Sequence, residues 1–364
     1  MAMSRSPTVL FHRSLAQNST YVLREETMSL ITRRQSLALL GAVSLSGLAA
    51  PAIAQSRKIN VGALRFTSHA ASFTALYRGY FEDVGLDVNL VFFDAAQPMA
   101  IAIASGDVDF GVTAVSGGLI SLAQKGAVKV FGGAAKEEPG TSGQKILVSN
   151  AAYESGVRTP ADLNGKRFGI SQAGSSFHYM GSKIAATEGI DMQYTPLQSV
   201  GNIIGSLRSG QIDAWAIVPH IASQLTASGA AHEIAKVSDY LPDYQLTTLF
   251  TSPRLISEER ALVEAFLAAF NLGVDDFNAA LVDNTLGDDG RDSMVEIIHQ
   301  HVYSDQPIKQ ATGPIIAGSM RLASGSCLGA ASLRDQLDWF RSENLIDQDV
   351  TYETVIDDSF VPQC

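Results

Sequence analysis

The chain has 364 residues, room for two domains with separate cores, and its 26 basic against 37 acidic residues give a net charge of −11. That balance excludes an electrostatic grip on nucleic acid. Beyond residues 1–54, which hold five Arg and two Glu, the chain carries 21 basic and 35 acidic residues, net −14, so an anion site must come from local geometry against an unfavourable field.

The amino-terminal stretch reads as a targeting segment. From Met28 it runs through the basic pair Arg33-Arg34 and the weakly apolar Leu37 to Leu45, then reaches Ala52-Ile53-Ala54, an A-x-A cleavage pattern. Thr32 to Leu37 resembles a twin-arginine signal, departing at Ser36, where Phe is usual, and at Ala38, where Lys is usual; both translocation routes stay open. Residues 1–27 read as an extension upstream of a start at Met28. Cleavage near Ala54 is expected to deliver the mature chain to the periplasm. No Cys stands at the cleavage point to take a lipid, and no later stretch is expected to be long and apolar enough to cross a bilayer.

Strands and helices then alternate. Lys58 to Leu64 reads as a strand followed by the polar loop Arg65 to Ser72, a helix from Phe73 to about Asp83, and a second strand from Asp87 to Phe92. Gln97 to Ser105 is the next helix, Phe110 to Val112 a third strand, Thr113 to Gly117 the opening of another helix, and Val128 to Gly132 a further strand. Such alternation implies parallel βαβ units with strand carboxyl ends at one edge. Ile146 to Val148 reads as a strand leaving the first domain, and Thr159 to Gly165 as a capped turn of helix with Pro160 in its first turn. Arg167 to Ser171, the loop Gln172 to Ser176, the helix Phe177 to Glu188 and the strand Trp215 to Val218 repeat the pattern, and Thr247 to Thr251 reads as a strand crossing back. From Ser257 the text is helical, with Ser332 to Arg341 a late helix, and this tail is expected to pad the first domain.

The repetition is explicit in the residues. Ser105-Gly106-Asp107-Val108-Asp109-Phe110 returns as Ser209-Gly210-Gln211-Ile212-Asp213-Ala214, and the same offset aligns Ser72-Phe73 with Ser176-Phe177 and Gly85-Leu86-Asp87 with Gly189-Ile190-Asp191. A period this long marks a duplicated domain, since solenoid units run about 20–50 residues. Asp109 and Asp213 are expected to serve turn geometry rather than chemistry. Cys327 and Cys364, the only cysteines, are either bridged or both free, and neither position suggests a catalytic thiolate.

The two Ser-Gly-x-(Val/Ile)-Asp copies, Gly85-Leu86-Asp87-Val88, Thr159 to Lys166 and the exported amino terminus together resemble a periplasmic substrate-binding protein of an ABC importer, of the nitrate/sulfonate/taurine and thiamine-precursor type. The likeness runs from about Lys58 to Phe360, since Trp339-Phe340 and Ile356 to Phe360 match that family's ending. It implies a type II periplasmic binding protein fold: two doubly wound α/β lobes joined by two crossing strands, with residues 57–143 plus 247–364 in one and 144–246 in the other. It also implies a ligand held in the inter-lobe cleft and a membrane permease with its cytoplasmic ATPase as partners; a small anionic ligand, a monomer, and no cofactor, metal or catalytic residue are the accompanying expectations.

Three loops should converge on that cleft, because ligands of open α/β sheets bind outside strand carboxyl ends. They are Arg65-Phe66-Thr67-Ser68-His69, the stretch from Thr113 to Ser116 and Gly117, and Gly174-Ser175-Ser176-Phe177-His178. Each precedes a helix and offers unpaired N–H groups suited to an oxyanion; ordinary N-capping by Ser and Thr is the competing expectation. Arg65 is the candidate counter-charge. His69, His178 and His220 fall at expected strand ends, and Phe66, Phe177 and Trp215 are candidate apolar walls, with core packing favoured for Trp215. His299 and His301 read as structural. A sulfonate is the first expectation for the ligand, with an aromatic carboxylate, a thiamine-precursor pyrimidine or nitrate as alternatives. A cleft enzyme of the desulfinase or pyrimidine-synthase kind is the different-class alternative; it would call for a nucleophilic Cys in the first loop or a Cys-rich segment in the cleft, and neither is present.

Overall fold

The computed structural model describes residues Ser56–Cys364; the expected signal segment, its expected cleavage point and both candidate start sites lie outside the described residues. Ten strands build two mixed sheets of five. The first contains β1 (Arg57–Ala63), β2 (Leu86–Phe92), β3 (Phe110–Thr113) and β4 (Lys129–Gly133). The second contains β5 (Lys145–Ser149), β6 (Arg167–Ile170), β7 (Gln193–Pro196), β8 (Ala214–Ile217) and β9 (Ala231–Lys236). A tenth strand, β10 (Thr248–Thr251), returns to the first sheet. The orders are β2-β1-β3-β10-β4 and β7-β6-β8-β5-β9, the same pattern twice. β7, β9 and the helix Val200–Arg208 complete the second copy; their polar, half-exposed residues had hidden them from the sequence pattern.

In each sheet one antiparallel strand is supplied by the chain as it crosses between lobes. β5 pairs antiparallel with β8 and β9, and β10 with β3 and β4. The segments feeding these strands run side by side: Leu246 N donates to Ala135 O at 3.0 Å, Glu137 N to Tyr244 O at 2.8 Å, and Val237 N to Gln144 O at 2.9 Å. β3, β8 and β10 are buried along their whole length, as expected of central strands covered on both faces. Gly111 has a packing reason: a Cβ there would lie 2.6 Å from the Phe250 ring of β10.

The duplicated Asp residues do the same work in both lobes. Asp109 Oδ2 accepts from Asn60 N at 2.8 Å, and Asp213 Oδ2 accepts from Arg167 N at 2.8 Å. Asn60 is on β1 and Arg167 opens β6, so each carboxylate ties the first strand of its lobe to the third, with the Arg167 guanidinium also on Asp213. That guanidinium and the backbone N–H hold the Asp213 carboxyl below its ordinary range against a burial effect in the other direction.

Several expectations change. The first helix is two, Ala70–Tyr77 and Tyr80–Asp83, broken at Gly79, whose φ of 79° is left-handed. The helix Arg260–Phe277, continued by a π turn through Val282, is long and apolar enough by composition to cross a membrane. Here it is a core helix, burying Phe266, Phe270 and Phe277 against the first lobe. The tail also does more than pad that lobe. Helix Ile308–Ala317 packs on helix Pro219–Ala227, and Asp335 of helix Ala330–Ser342 accepts from Lys183 Nζ at 2.6 Å and Tyr179 OH at 2.5 Å.

Cys327 and Cys364 are joined in a disulfide with their Cα atoms 5.6 Å apart. Backbone bonds Leu328 N to Pro362 O and Cys364 N to Leu328 O, both 2.9 Å, hold the chain end beside it. Bridging residues 37 apart removes unfolded-state entropy worth about 2–4 kcal/mol. Cys364→Ser is therefore expected to lower unfolding free energy by about that amount, and the variant's denaturation midpoint should no longer respond to reductant. Unchanged stability in oxidising buffer would contradict this.

Candidate functional site

Strand order reverses around β1 and β3 in one sheet and around β6 and β8 in the other. The loops leaving these strands meet where the two sheets face each other, the place where open α/β sheets hold ligands. A cavity of about 50 Å3 lies there, lined by Phe66, Ser68 and His69 after β1, Thr113 at the end of β3, and Ser175, Ser176 and Phe177 after β6. A wider vestibule of about 350 Å3 adjoins it and shares Phe66; Arg65, Phe92 and Asp94 stand on its wall. The inner chamber is far smaller than a drug-sized site of roughly 300–1,000 Å3. It suits a compact polar head.

The lobes touch across this chamber. Gly117 N donates to Gly174 O at 2.9 Å, Gln172 donates to Gln97, and the Phe340 ring lies beside both Gly117 and Gly174. Gly174, with φ of +70°, presents its carbonyl there. The cleft is closed.

Several candidate residues make their hydrogen bonds elsewhere than into the chamber. Ser116 Oγ accepts from Leu119 N at 3.2 Å and Ser175 Oγ accepts from His178 N at 3.3 Å, so both hydroxyls act as N-caps. His178 Nδ1 accepts from Gly174 N at 3.1 Å, and its ring packs on Trp339, outside the chamber. Trp215 is fully buried in β8, edge-on to Phe177, and does not line the chamber. Arg65 stacks over Phe92 at 4.0 Å and donates to His301 O at 3.3 Å. Its guanidinium therefore serves the vestibule. His301 packs among Phe73, Tyr77 and Phe92, a structural place.

The two buried histidines have fixed roles. Leu64 N donates to His69 Nδ1 at 3.3 Å, which leaves the proton of the neutral ring on Nε2 as a donor. Thr67 Oγ1 donates to Gly318 O at 2.8 Å and contacts His220 Nδ1 at 3.1 Å. The threonine proton is committed to that carbonyl, so His220 must donate through Nδ1. Thr67 on the first lobe, His220 on the second and Gly318 in the tail thus form one chain across the molecule, and Tyr303 OH donates to His220 O at 3.1 Å. Burial lowers both histidines from 6.5 to about 3, with mutual repulsion adding to the effect at His220. No Lys or Arg lines the chamber among the described residues, and the charged side chain on its wall is the exposed Asp94, which it shares with the vestibule.

What the sequence did not reveal is Gln144. It lines the chamber from the crossing segment, and both amide atoms are buried without a hydrogen-bond partner among the described residues. Ser68 Oγ is also buried and unpartnered there. Gln144 stands beside no motif, and only the chain crossing brings it to the chamber floor.

Two results follow for solution behaviour. Ser175→Ala should cost about 1 kcal/mol of stability as a lost cap, whereas Ser176→Ala, whose hydroxyl caps nothing, should leave the melting temperature nearly unchanged. Equal destabilisation of both would contradict these roles. His69 and His220 bind protons more readily unfolded than folded, so their contribution is complete above pH about 6.5 and declines as pH falls toward 3, by up to about 1.4 kcal/mol per pH unit per histidine. Denaturant melts at pH 7 and 5 should differ less in His220→Gln than in the parent. An equal or larger difference in the variant would be the contrary result.

Comparison with known proteins adds the following. A family model described as NMT1/THI5 like matches residues 66–280. The alkanesulfonate-binding protein SsuA from Xanthomonas axonopodis pv. citri, bound to MOPS, superposes with a TM-score of 0.65 at 21% identity, covering 83% of this chain and 98% of that one. The periplasmic aliphatic sulphonate binding protein SsuA from Escherichia coli gives 0.64 at 18%, covering 85% and 94%. The periplasmic nitrate-binding protein NrtA from Synechocystis PCC 6803 gives 0.65 at 10%, covering 82% and 84%. No curated protein matches the chain. These likenesses establish the fold as the two-lobe α/β fold of periplasmic binding proteins.

Proposed function

The chain belongs to the NMT1/THI5-like family, and from that premise we propose that it is the solute-binding component of an ABC importer, capturing a small organic anion in the cleft between its lobes. The observation that carries this reading is a closed chamber at the joint switch point of both sheets, whose walls hold buried, unpartnered polar atoms. Buried polar groups are costly to leave unpaired, and a ligand that pairs them offsets that cost.

A sulfonate is the first ligand class for this site. His69 Nε2, Ser68 and Ser176, with the open N–H groups at the start of helix Ser176–Glu188, supply neutral donors for its oxygens. Binding proteins for sulfonate and nitrate are among the similar structures, which is consistent with such a ligand. The lobes, residues 57–143 with 247–364 and residues 144–246, would close by rotating about the paired crossing segments. The partners would be a membrane permease and its ATPase, reached after export and removal of the amino-terminal segment. Chemistry through a cysteine is disfavoured, because Cys327 and Cys364 are joined to each other away from the chamber.

Trp339 offers the test. It is one of two tryptophans and, from the tail, packs on His178 and Tyr179 of the second lobe, while Trp215 is deep in a core. A bound sulfonate is expected to change the intrinsic emission, Trp339→Phe to abolish that change, and the ligand to be recovered chemically unaltered. Turnover of the ligand would overturn the reading, as would the absence of any emission change in the parent across the sulfonates tested.

A further inference from the structure

Gln144 is 0% exposed, and its side-chain oxygen and nitrogen both lack a partner among the described residues. Its backbone is firmly placed: Gln144 N donates to Glu137 Oε1 at 2.9 Å, and Gln144 O accepts from Val237 N at 2.9 Å. Glu137 is itself buried, with burial raising its carboxyl above the ordinary range and its Oε2 without a hydrogen bond. The carboxyl seats against Gly143, where a Cβ would lie 2.0 Å from Oε2. Glu137 is thus a positioning residue for the turn that presents Gln144. The amide lies close enough to this carboxyl to pull its pKa down against the burial effect, but outside hydrogen-bond geometry, and a carboxylate there could engage only the amide N–H, leaving the Gln144 oxygen unpaired.

A carboxamide presents one acceptor and two donors, whichever way it is turned. The acceptor decides what can satisfy it. A sulfonate, nitrate or ionised carboxylate offers only acceptors, so it can take the Gln144 N–H but leaves the oxygen unpaired. Leaving a buried polar group unpaired weakens binding by roughly tenfold to a hundredfold. Ser68 Oγ, the other orphan on the chamber wall, is not within bonding distance of the amide.

We propose that Gln144 is a specificity residue, and that the ligand carries, beside any oxyanion, a group with an N–H donor next to an acceptor: a carboxamide or urea edge. This inference rests on the solute-binding reading above and narrows its ligand class. The chamber of about 50 Å3 is also roomy enough for an ordered water, which needs roughly 10–15 Å3, and a water on Gln144 is the structural alternative.

The experiment compares probes by calorimetry on the parent and on Gln144→Met, which keeps the volume and removes the amide. Butanesulfonate, nitrate and benzoate form the acceptor-only set; N-acetyltaurine, nicotinamide and methylurea carry the donor–acceptor edge. The parent is expected to bind the best of the second set at least tenfold more tightly than any of the first. Gln144→Met should weaken that ligand tenfold or more and leave acceptor-only binding within twofold. Its ligand-free melting temperature should hold or rise, because an unpaired buried amide has gone. A water-bridging role predicts the reverse, a lower melting temperature with unchanged ranking of ligands, and would overturn the proposal. Tightest binding by an acceptor-only probe, indifferent to Gln144→Met, overturns it as well while leaving solute binding intact. If no probe of either set binds, the solute-binding reading falls and this inference with it. The ranking on the parent needs no variant, so it decides the matter even if Gln144→Met fails to fold.

Discussion

The exchange of central strands is the constraint on which the molecule depends. β10 lies antiparallel between β3 and β4, and β5 between β8 and β9. The second sheet is built from the consecutive strands β5 to β9, the first of them laid down as the chain crosses over, whereas the first sheet is complete only when the chain has crossed back and delivered β10. The feeding segments are hydrogen-bonded to each other, which turns two linkers into one ribbon. In the solute-binding reading, motion between the lobes would bend that ribbon and open or shut the edge where both sheets place their switch-point loops. The position of the chamber follows from this topology.

The chemistry of the chamber follows from burial. A chain with net charge of −11 disfavours anions at long range, and Asp94 adds to that at the chamber wall, so the anion proposed for the chamber would depend on short-range neutral donors. Burial keeps His69 and His220 uncharged, so their hydrogen-bonding roles are set by partners and do not change across the neutral pH range. Closure also matters energetically. Hydrogen bonds gain strength when water is excluded, and the contacts Gly117–Gly174 and Thr67–His220–Gly318 provide that exclusion on two sides of the site. The tail supplies Gly318, Trp339 and Phe340 to these contacts, so it takes part in closure as well as in the first core.

Much of this was legible in the sequence, for local reasons. The repeated Ser-Gly-x-(Val/Ile)-Asp stretches exposed the duplication, because each Asp must meet the backbone of its own first strand and each Gly must end a helix. Strand carboxyl ends located the loops, and seven of the residues they nominated do line the chamber: Phe66, Ser68, His69, Thr113, Ser175, Ser176 and Phe177. What was illegible is long-range. Whether Ser175 caps its helix or faces a ligand depends on a rotamer, and Thr67 and His220 meet only because the lobes close. Gln144 sits at the floor because of the strand crossing, which leaves no periodic trace. The apolar run in Arg260–Phe277 reads the same for a core helix as for a membrane span, and only its burial distinguishes them.

The central claim is that ligand occupancy and lobe closure are one event about the crossing ribbon. Its most direct measurement is a distance distribution between spin labels on the two lobes, at exposed Lys125 and Asn202, titrated with a bound probe. The account predicts a broad distribution without ligand and a single narrow one with it, the narrow population rising in step with the fraction of ligand bound. A distribution that stays the same at saturation would contradict the account.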